Sequence, residues 1–356
     1  MARPLLTVLV DTYNHEKFIE QAIVSVLEQD FPMQEVEILV VDDGSSDRTP
    51  EILKNFEPRI RNLRKNNGGQ ASAFNLAIPE CQGELVAFLD GDDWWAPKKL
   101  ALVNEAFHAN PGVGLIGSSI TEALADGVER SELVLDSPRF RIDSLAGART
   151  FRMRKSFLGT SRMAYRADLL RRIGAVPEAL VIEADEFLFT LGSVLSEVLI
   201  LREPLTFYRL HGQNLFQISD ENKDASRRKY DVICALHESL RQRFAAERVP
   251  QDIADCVLES VQSEADVLRL SLDGGSRLET VRVELRNYRI MHENASRLRW
   301  LLKYASLFPA LFLAPAQYAA LRRKVTSSSL YRKLRTRLAP PLNPSHVERT
   351  GQWSAR

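Results

Sequence analysis

Residues 90–93 of this 356-residue chain read Asp-Gly-Asp-Asp, three carboxylates within four positions. Two carboxylates about 4 Å apart repel by roughly 4 kcal/mol at an effective dielectric of 20. Such a corner favours a cation, and oxygen ligands suit Mg2+ or Mn2+, with Mg2+ commonly completing its shell with water and substrate phosphates. Gly91 lets the backbone turn tightly between Asp90 and Asp92. An acidic turn that only caps the next helix has the same composition, so placement must decide. Two more acidic turns precede it, Asp11-Thr12-Tyr13-Asn14 and Asp42-Asp43-Gly44-Ser45.

Each turn closes a short apolar run: LLTVLVD (5–11), VEILVVDD (36–43) and ELVAFLD (84–90). Runs this short and this apolar are expected of strands buried on both faces. Between them FIEQAIVSVLEQ (18–29) spaces its apolar residues at three and four, as a helix does. A second helix is expected to enter at Ser45-Ser46-Asp47 and a third to span 70–78, after Asn66-Asn67-Gly68-Gly69. Pro97 opens a fourth, and VGLIGSSI (113–120) reads as a further strand. The alternation predicts an α/β fold with a mainly parallel sheet flanked by helices. Ligands of such sheets bind beyond the carboxyl ends of the strands, so three acidic strand ends would face one cleft. There is no GxGxxG after the first strand and no GxxxxGK[ST] anywhere. Without an amide cradle for phosphate, a metal is the obvious means of neutralising a diphosphate.

The rest of the chain carries fewer motifs. Residues 121–160 are irregular, broken by Gly127, Pro138 and Gly147. From 164 to 210 the pattern predicts a helix, a loop through Pro177, a helix near Asp185 and the strand SEVLILREPLTFYRLH. Residues 222–300 are charged, with apolar residues at helical spacing, and predict two or three helices. The stretch 305–321 has no charged residue but only 17 positions, with Pro309 and Pro315, short of the roughly 20 a spanning helix needs. Seven basic residues and no acidic ones follow between Arg322 and Arg337. Apolar beside basic suits a protein lying on an anionic bilayer; a helix packed on the body before a solvated basic tail has the same pattern. The expected domains are thus 1–220, a helical extension 221–304, and a tail 305–356.

Composition sets the outer bounds. With 47 Lys+Arg against 47 Asp+Glu the net charge is zero, so nothing global points to nucleic acid. The three cysteines are far apart and lack a CxxC pair, which excludes a disulfide framework or a zinc knuckle and suits a cytoplasmic setting. The N-terminus reads as a first strand rather than a signal peptide. The expected location is cytoplasmic, with the tail suited to the inner face of the membrane.

Four segments in order, TVLVDTYNHEKFIEQAIVSVLEQ, ILVVDDGSSDRTPEIL, NNGGQASAFNLAI and GELVAFLDGDDWWAPKKL, resemble the GT-A family 2 glycosyltransferases. The likeness continues more weakly through GTSRMAYRADLLRRIG, EADEFLF and FYRLHGQN and fades after about residue 220. It implies a GT-A, Rossmann-like fold and an inverting enzyme that moves a sugar from a nucleotide sugar, UDP by preference, to an acceptor hydroxyl. A saccharide or lipid-linked saccharide acceptor, in cell-surface polysaccharide assembly, is the setting the family suggests. By the same resemblance Asp11, Tyr13 and Asp43 hold the nucleotide. Asp90 and Asp92 form the DxD motif that grips Mg2+ or Mn2+, with Asp93 orienting Asp92. Gln70 and Asn75 line the sugar-phosphate wall or fix the loop. Asp185 is the catalytic base and Glu186 the alternative base, although Ala184 stands where the family usually has glutamate. His211 matches a position near the metal, and Arg209 could pair with a phosphate or a carboxylate. Two other classes remain in view: a non-catalytic binding protein of the same fold, favoured only by Ala184, and a sugar-phosphate nucleotidyltransferase. The latter needs a glycine-rich basic loop where this chain has TYNHEKF.

Overall fold

Alternate residues of a strand point to opposite faces, and here both faces are apolar. A computed structural model describes residues 4–124, 127, 129–211, 223–291 and 296–327. The acid-ended runs form β1 (Leu6–Thr12), β2 (Val36–Asp42) and β4 (Leu85–Asp90), and β3 (Arg61–Arg64) lies beyond β2. The order β3-β2-β1-β4 is parallel throughout. Val8 and Val10 face one side with Ile38, Val40, Ala87 and Leu89, under helices α1 (Ile19–Leu27) and α4 (Lys99–Ala109). Leu9, Leu39, Val41 and Phe88 face the other, under α3 (Gln70–Ala77).

The second half of the sheet is mixed. The two-residue β5 (Trp94–Trp95) is followed by β6 (Val113–Leu124), β7 (Glu129–Glu132) and β8 (Arg139–Phe140), so the irregular 121–160 segment holds two edge strands. It also holds α5 (Leu145–Arg154), capped by Ser144, whose Oγ accepts from the Gly147 N–H at 3.1 Å. The expected helix from 164 is preceded by β9 (Ala164–Arg166), antiparallel to both β4 and β6, and is itself α6 (Ala167–Ile173). After α7 (Ala184–Leu195), the long β10 (Glu197–Leu210) runs parallel to β6 and closes the sheet on β5. Helix α2 (Thr49–Lys54) starts four residues later than the sequence suggests. Asp42 and Asn14 side chains take the Ser45 and Ser46 N–H groups, at 2.8 Å each, and hold that stretch as a turn.

Helices α8 (Lys223–Ala246), α9 (Gln251–Asp273) and α10 (Arg277–Met291) follow. Val232, Ile233 and Leu236 of α8, with Val257 and Val261 of α9, lie in the same apolar cluster as Phe187, Leu188 and Leu191 of α7. The described chain forms two compact units, one comprising Met1–Leu268 with Arg286–Asn294, the other Arg269–Leu285 with Ala295–Arg356. The second has its own small core, in which Leu307, Ala310 and Tyr318 meet Val281, Leu285 and Leu313. It includes α11 (Arg297–Ser306), a 3-10 turn Phe308–Leu311 and α12 (Pro315–Ser327). Arg332, Lys333, Arg335 and Arg337 of the basic run lie outside the described residues. Among the described residues no helix is long and apolar enough to cross a membrane.

Candidate active site

Parallel pairing sets Asp11 of β1 directly beside Asp90 of β4. Their carboxyls, with Asp92, Asp93 and Asp185, crowd one end of the sheet. Burial, followed by the nearby charges of Asp92 and Asp185, pushes Asp11 up to about 7 against the hydrogen bond it shares with Asp90. Burial and then the neighbouring carboxylates of Asp11, Asp92, Asp93 and Asp185 raise Asp90 well above its ordinary value. Asp93, buried with the Arg209 N–H donating to its Oδ1 at 2.9 Å, is pushed up to about 8 by burial and Asp92.

Asp92 behaves differently. Burial would raise it too, yet the hydrogen bond to His211 and the charges of His15 and His211 hold it below the usual carboxylate range. His211 Nε2 is 3.0 Å from Asp92 Oδ2, and His15 Nε2 is 4.0 Å from the same oxygen. The end of β10 brings His211 here. Thr206 and Phe207 pair with Trp95 and Trp94, and the Trp94 and Phe207 rings stack at 5.0 Å. Arg209 is committed to the scaffold: its Nε donates to the Asp92 carbonyl at 2.8 Å, and its guanidinium lies 4.4 Å from the Trp94 ring centre.

Asp185 opens α7, and its carboxylate is held at three points. Thr160 donates to Oδ2 through its N–H at 3.1 Å and its hydroxyl at 3.2 Å, and the Glu186 N–H donates to Oδ1 at 2.8 Å. Burial still outweighs these donors and raises the Asp185 pKa. The next residue, Ser161, takes the Asp90 N–H on its hydroxyl at 3.0 Å. The Thr160–Ser161 pair therefore bridges the acidic corner and Asp185. Gln70 supports the same bridge, donating to Thr160 Oγ at 3.1 Å and accepting the Ala184 N–H at 3.1 Å. Asn75 fixes the loop before α7, exchanging two hydrogen bonds of 2.8 Å with the Val176 backbone.

Glu186 and Glu183 belong to a separate charge cluster. Lys155 Nζ donates to Glu186 at 2.6 Å, and Lys229 lies 3.8 Å from Glu183 and 3.4 Å from Glu264. Burial and the neighbouring carboxylates of Glu186 and Asp185 push Glu183 up to about 8. The folded state then keeps a proton that the unfolded chain releases near 4.5, so stability falls as pH rises through that window. Glu183→Gln is expected to flatten this fall. Urea midpoints should fall less steeply from about pH 5 to pH 8 in the variant than in wild type, and parallel profiles would reject the assignment.

On the other side of the cleft the first two strand ends clasp each other. The Asn14 N–H donates to Ser45 Oγ at 2.9 Å, leaving Tyr13 42% exposed at the rim. Asp43 is enclosed by the Asn-Asn-Gly-Gly loop, accepting from Lys65 Nζ at 2.5 Å and from the Gly68 and Gly69 N–H groups at 3.0 and 2.7 Å. Gly69 has φ +82, and a Cβ there would lie 2.7 Å from Val181, so this loop requires glycine.

These residues fit a hard divalent cation. Ligand oxygens of Asp90, Asp92 and Asp93 lie within 4.8 Å of one another, and Asp11 Oδ1 is buried without a hydrogen-bond partner. His15, Thr160 and Ser161 are the residues that sequence reading left without roles. Their signals were the histidine opening HEKF and the hydroxyl pair in GTSRM.

Comparison with known proteins bears on what the corner is for. The family described as Glycosyl transferase family 2 matches residues 7–174, which include Asp11, Asp43, the Asp90–Asp93 corner and Thr160–Ser161. That segment is one of glycosyl transferase family 2. An uncharacterised glycosyltransferase, alr2836, of Nostoc is 30% identical over 216 residues, covering 59% of this chain and 66% of that protein. The poly(ribitol-phosphate) β-N-acetylglucosaminyltransferase TarS of Staphylococcus aureus is 39% identical over 92 residues, 25% of this chain and 16% of its own length. The chain thus spans less than two thirds of these relatives. Among solved structures, S. aureus TarS 1-349 with UDP superposes with a TM-score of 0.51 at 19% identity, covering 86% of this chain and 90% of that one. A Pyrobaculum calidifontis mannosyltransferase with GDP-Man and Mn2+ gives 0.51 at 20% identity, covering 94% and 84%. At such identity these likenesses establish the fold, GT-A, that the family 2 segment builds.

Proposed function

We propose that this chain is an inverting, metal-dependent glycosyltransferase that moves a sugar from a UDP-sugar to an acceptor hydroxyl. The reading rests on one observation: Thr160 and Ser161, adjacent in sequence, fasten the Asp185 carboxylate and the Asp90 corner to each other. Asp185 removes the acceptor proton as the hydroxyl attacks the anomeric carbon, and its burial makes it a stronger base than a free aspartate. A single displacement inverts that carbon and needs no covalent intermediate. Asp90 and Asp92, with His211 beside them, would hold Mg2+ or Mn2+, which supplies Lewis-acid charge for the departing diphosphate. Tyr13 and Asp43 are assigned to the base and ribose. Glu186, engaged by Lys155, supports Asp185 as the base by its own commitment elsewhere.

TarS, named for N-acetylglucosamine transfer and solved with UDP and UDP-GlcNAc, supports a uridine nucleotide, and the GDP-Man-bound mannosyltransferase makes a guanosine nucleotide the alternative to test. The proposed acceptor is a saccharide or lipid-linked saccharide of surface polysaccharide assembly, with the enzyme working peripherally at the inner membrane face. The catalytic domain is assigned to 1–220, the helical extension to 221–304 and the tail to 305–356. Melting the protein with UDP-, GDP- and other nucleotide sugars, with and without Mn2+, tests the donor. A ligand at 100 times its Kd adds about 2.7 kcal/mol to the folded state, so UDP with Mn2+ should raise the Tm by several degrees. Stabilisation by GDP-sugars alone would replace the uridine assignment, and none by any nucleotide would leave the non-catalytic reading.

A further inference from the structure

Zero net charge conceals a steep asymmetry. Residues 295–356 hold twelve Lys/Arg and one Asp/Glu, a net of +11, so the remainder of the chain carries −11. The described part of that segment has an equally uneven distribution of apolar surface. Helix α11 places Leu298, Leu301, Leu302 and Ala305 at spacings of three and four, the stripe by which a helix ordinarily joins a core. None of its residues is buried. Leu298 is 60% exposed and Leu301 65%, and in the turn that follows Phe308 is 64% and Phe312 63% exposed.

This exposure is fixed by the packing of its own unit. Lys303 Nζ donates to Glu284 at 2.8 Å, and Arg322 pairs with the same carboxylate. At 3.6 residues per turn, Lys303 sits opposite Leu298 and Leu301. Leu307, Ala310 and Tyr318 fill the small core against Val281 and Leu285. The segment is anchored on one side, and its apolar side lies away from that small core. Soluble monomers rarely present contiguous apolar patches of this kind without a partner. A partner that combines an apolar interior with a negative surface matches both the patch and the +11 charge, and an anionic bilayer has that combination.

We propose that Leu298, Leu301, Leu302, Phe308 and Phe312 insert into the interfacial layer of an anionic lipid bilayer, while the basic C-terminal segment is drawn to its headgroups. The inference deepens the peripheral placement given above and rests on it. Sedimentation of the full chain with vesicles provides the test. Wild type is expected to bind vesicles containing phosphatidylglycerol, to bind pure phosphatidylcholine weakly, and to lose affinity as salt screens the headgroups. Leu301→Glu with Phe312→Glu should lower partitioning by about tenfold or more, with UDP binding and Tm preserved. Should that pair fold poorly, Leu301→Gln with Phe308→Gln replaces it, with a smaller loss expected. Equal binding by wild type and variants would overturn the insertion face and leave the peripheral reading standing. No binding of wild type to any vesicle would overturn both. A variant that turns a dimer into a monomer without affecting vesicle binding would assign the face to a second copy and overturn the proposal. Failure to bind nucleotide with vesicle binding intact would count against the enzyme reading alone.

Discussion

Asp185→Asn will lower turnover by about 10²–10⁴, the usual worth of a positioned general base, while Mn2+-dependent UDP binding persists. The substitution keeps the shape of the side chain and removes only its capacity to accept the acceptor's proton. Local geometry adds a second consequence. Asp185 accepts from the Thr160 N–H and hydroxyl on one oxygen and from the Glu186 N–H on the other. An asparagine amide can accept from one of these sites and presents a donor to the other, so a modest stability loss of about 1–3 kcal/mol should accompany the kinetic one. Calorimetric titration of UDP separates the two, because the nucleotide side of the cleft is built by other strand ends. The pH profile adds a readout that misfolding would not give. With burial raising the Asp185 pKa, wild-type kcat should fall on the acid side through a pKa above the ordinary aspartate value, and the residual rate of the variant should lack that limb. Turnover within a fewfold of wild type would move the proton acceptor to Glu186, which Glu186→Gln then tests.

How much of this was legible beforehand follows from the range of the interactions involved. The strands carrying Asp11, Asp42 and Asp90 announce themselves because a strand covered on both faces has no polar alternation to blur its ends. The acidic turn at Asp90–Asp93 is local, and so is its glycine. By contrast, β9 has three residues and leads straight into α6, so no period can mark it. Edge strands β7 and β8 exist through their pairing with β6 and β10 rather than through their own pattern. Helical spacing announced apolar faces on α8 and α9 but not their partner, which is α7 beneath the candidate base. The site's cross-links are non-local as well. Asp92 and His211 are 119 residues apart, and Gln70 and Ala184 are 114 apart. His15 looks like one more polar residue before α1 until the fold sets it 4.0 Å from Asp92. Gln70 shows the converse. Its motif suggested the sugar-phosphate wall, and the fold engages both ends of its amide in holding Thr160 and the start of α7.

Asp92→Ala should abolish the metal-dependent part of nucleotide binding, weakening UDP in the presence of Mn2+ by about 100-fold or more. Loss of a residue that only orients a ligand already costs about 10–100-fold in metal affinity, and Asp92 is assigned to the ion itself. It is also the member of the corner best prepared for that task. Burial and mutual repulsion push Asp90 and Asp93 toward their protonated forms, whereas His211 and His15 keep Asp92 ionised. A carboxylate held below its ordinary range, beside neighbours held above theirs, is where a divalent cation finds its first strong ligand. Calorimetry with UDP, run with Mn2+ and then with a chelator, separates the contributions: the variant should respond equally weakly in both, and wild type should not. His211→Ala should give the same sign with a smaller loss, about 10–100-fold, if its part is to orient or supplement Asp92. An unchanged Mn2+-dependent titration in Asp92→Ala would remove the metal from this corner. The unpartnered Asp11 Oδ1 and the 4.8 Å cluster of carboxylates would then need another explanation.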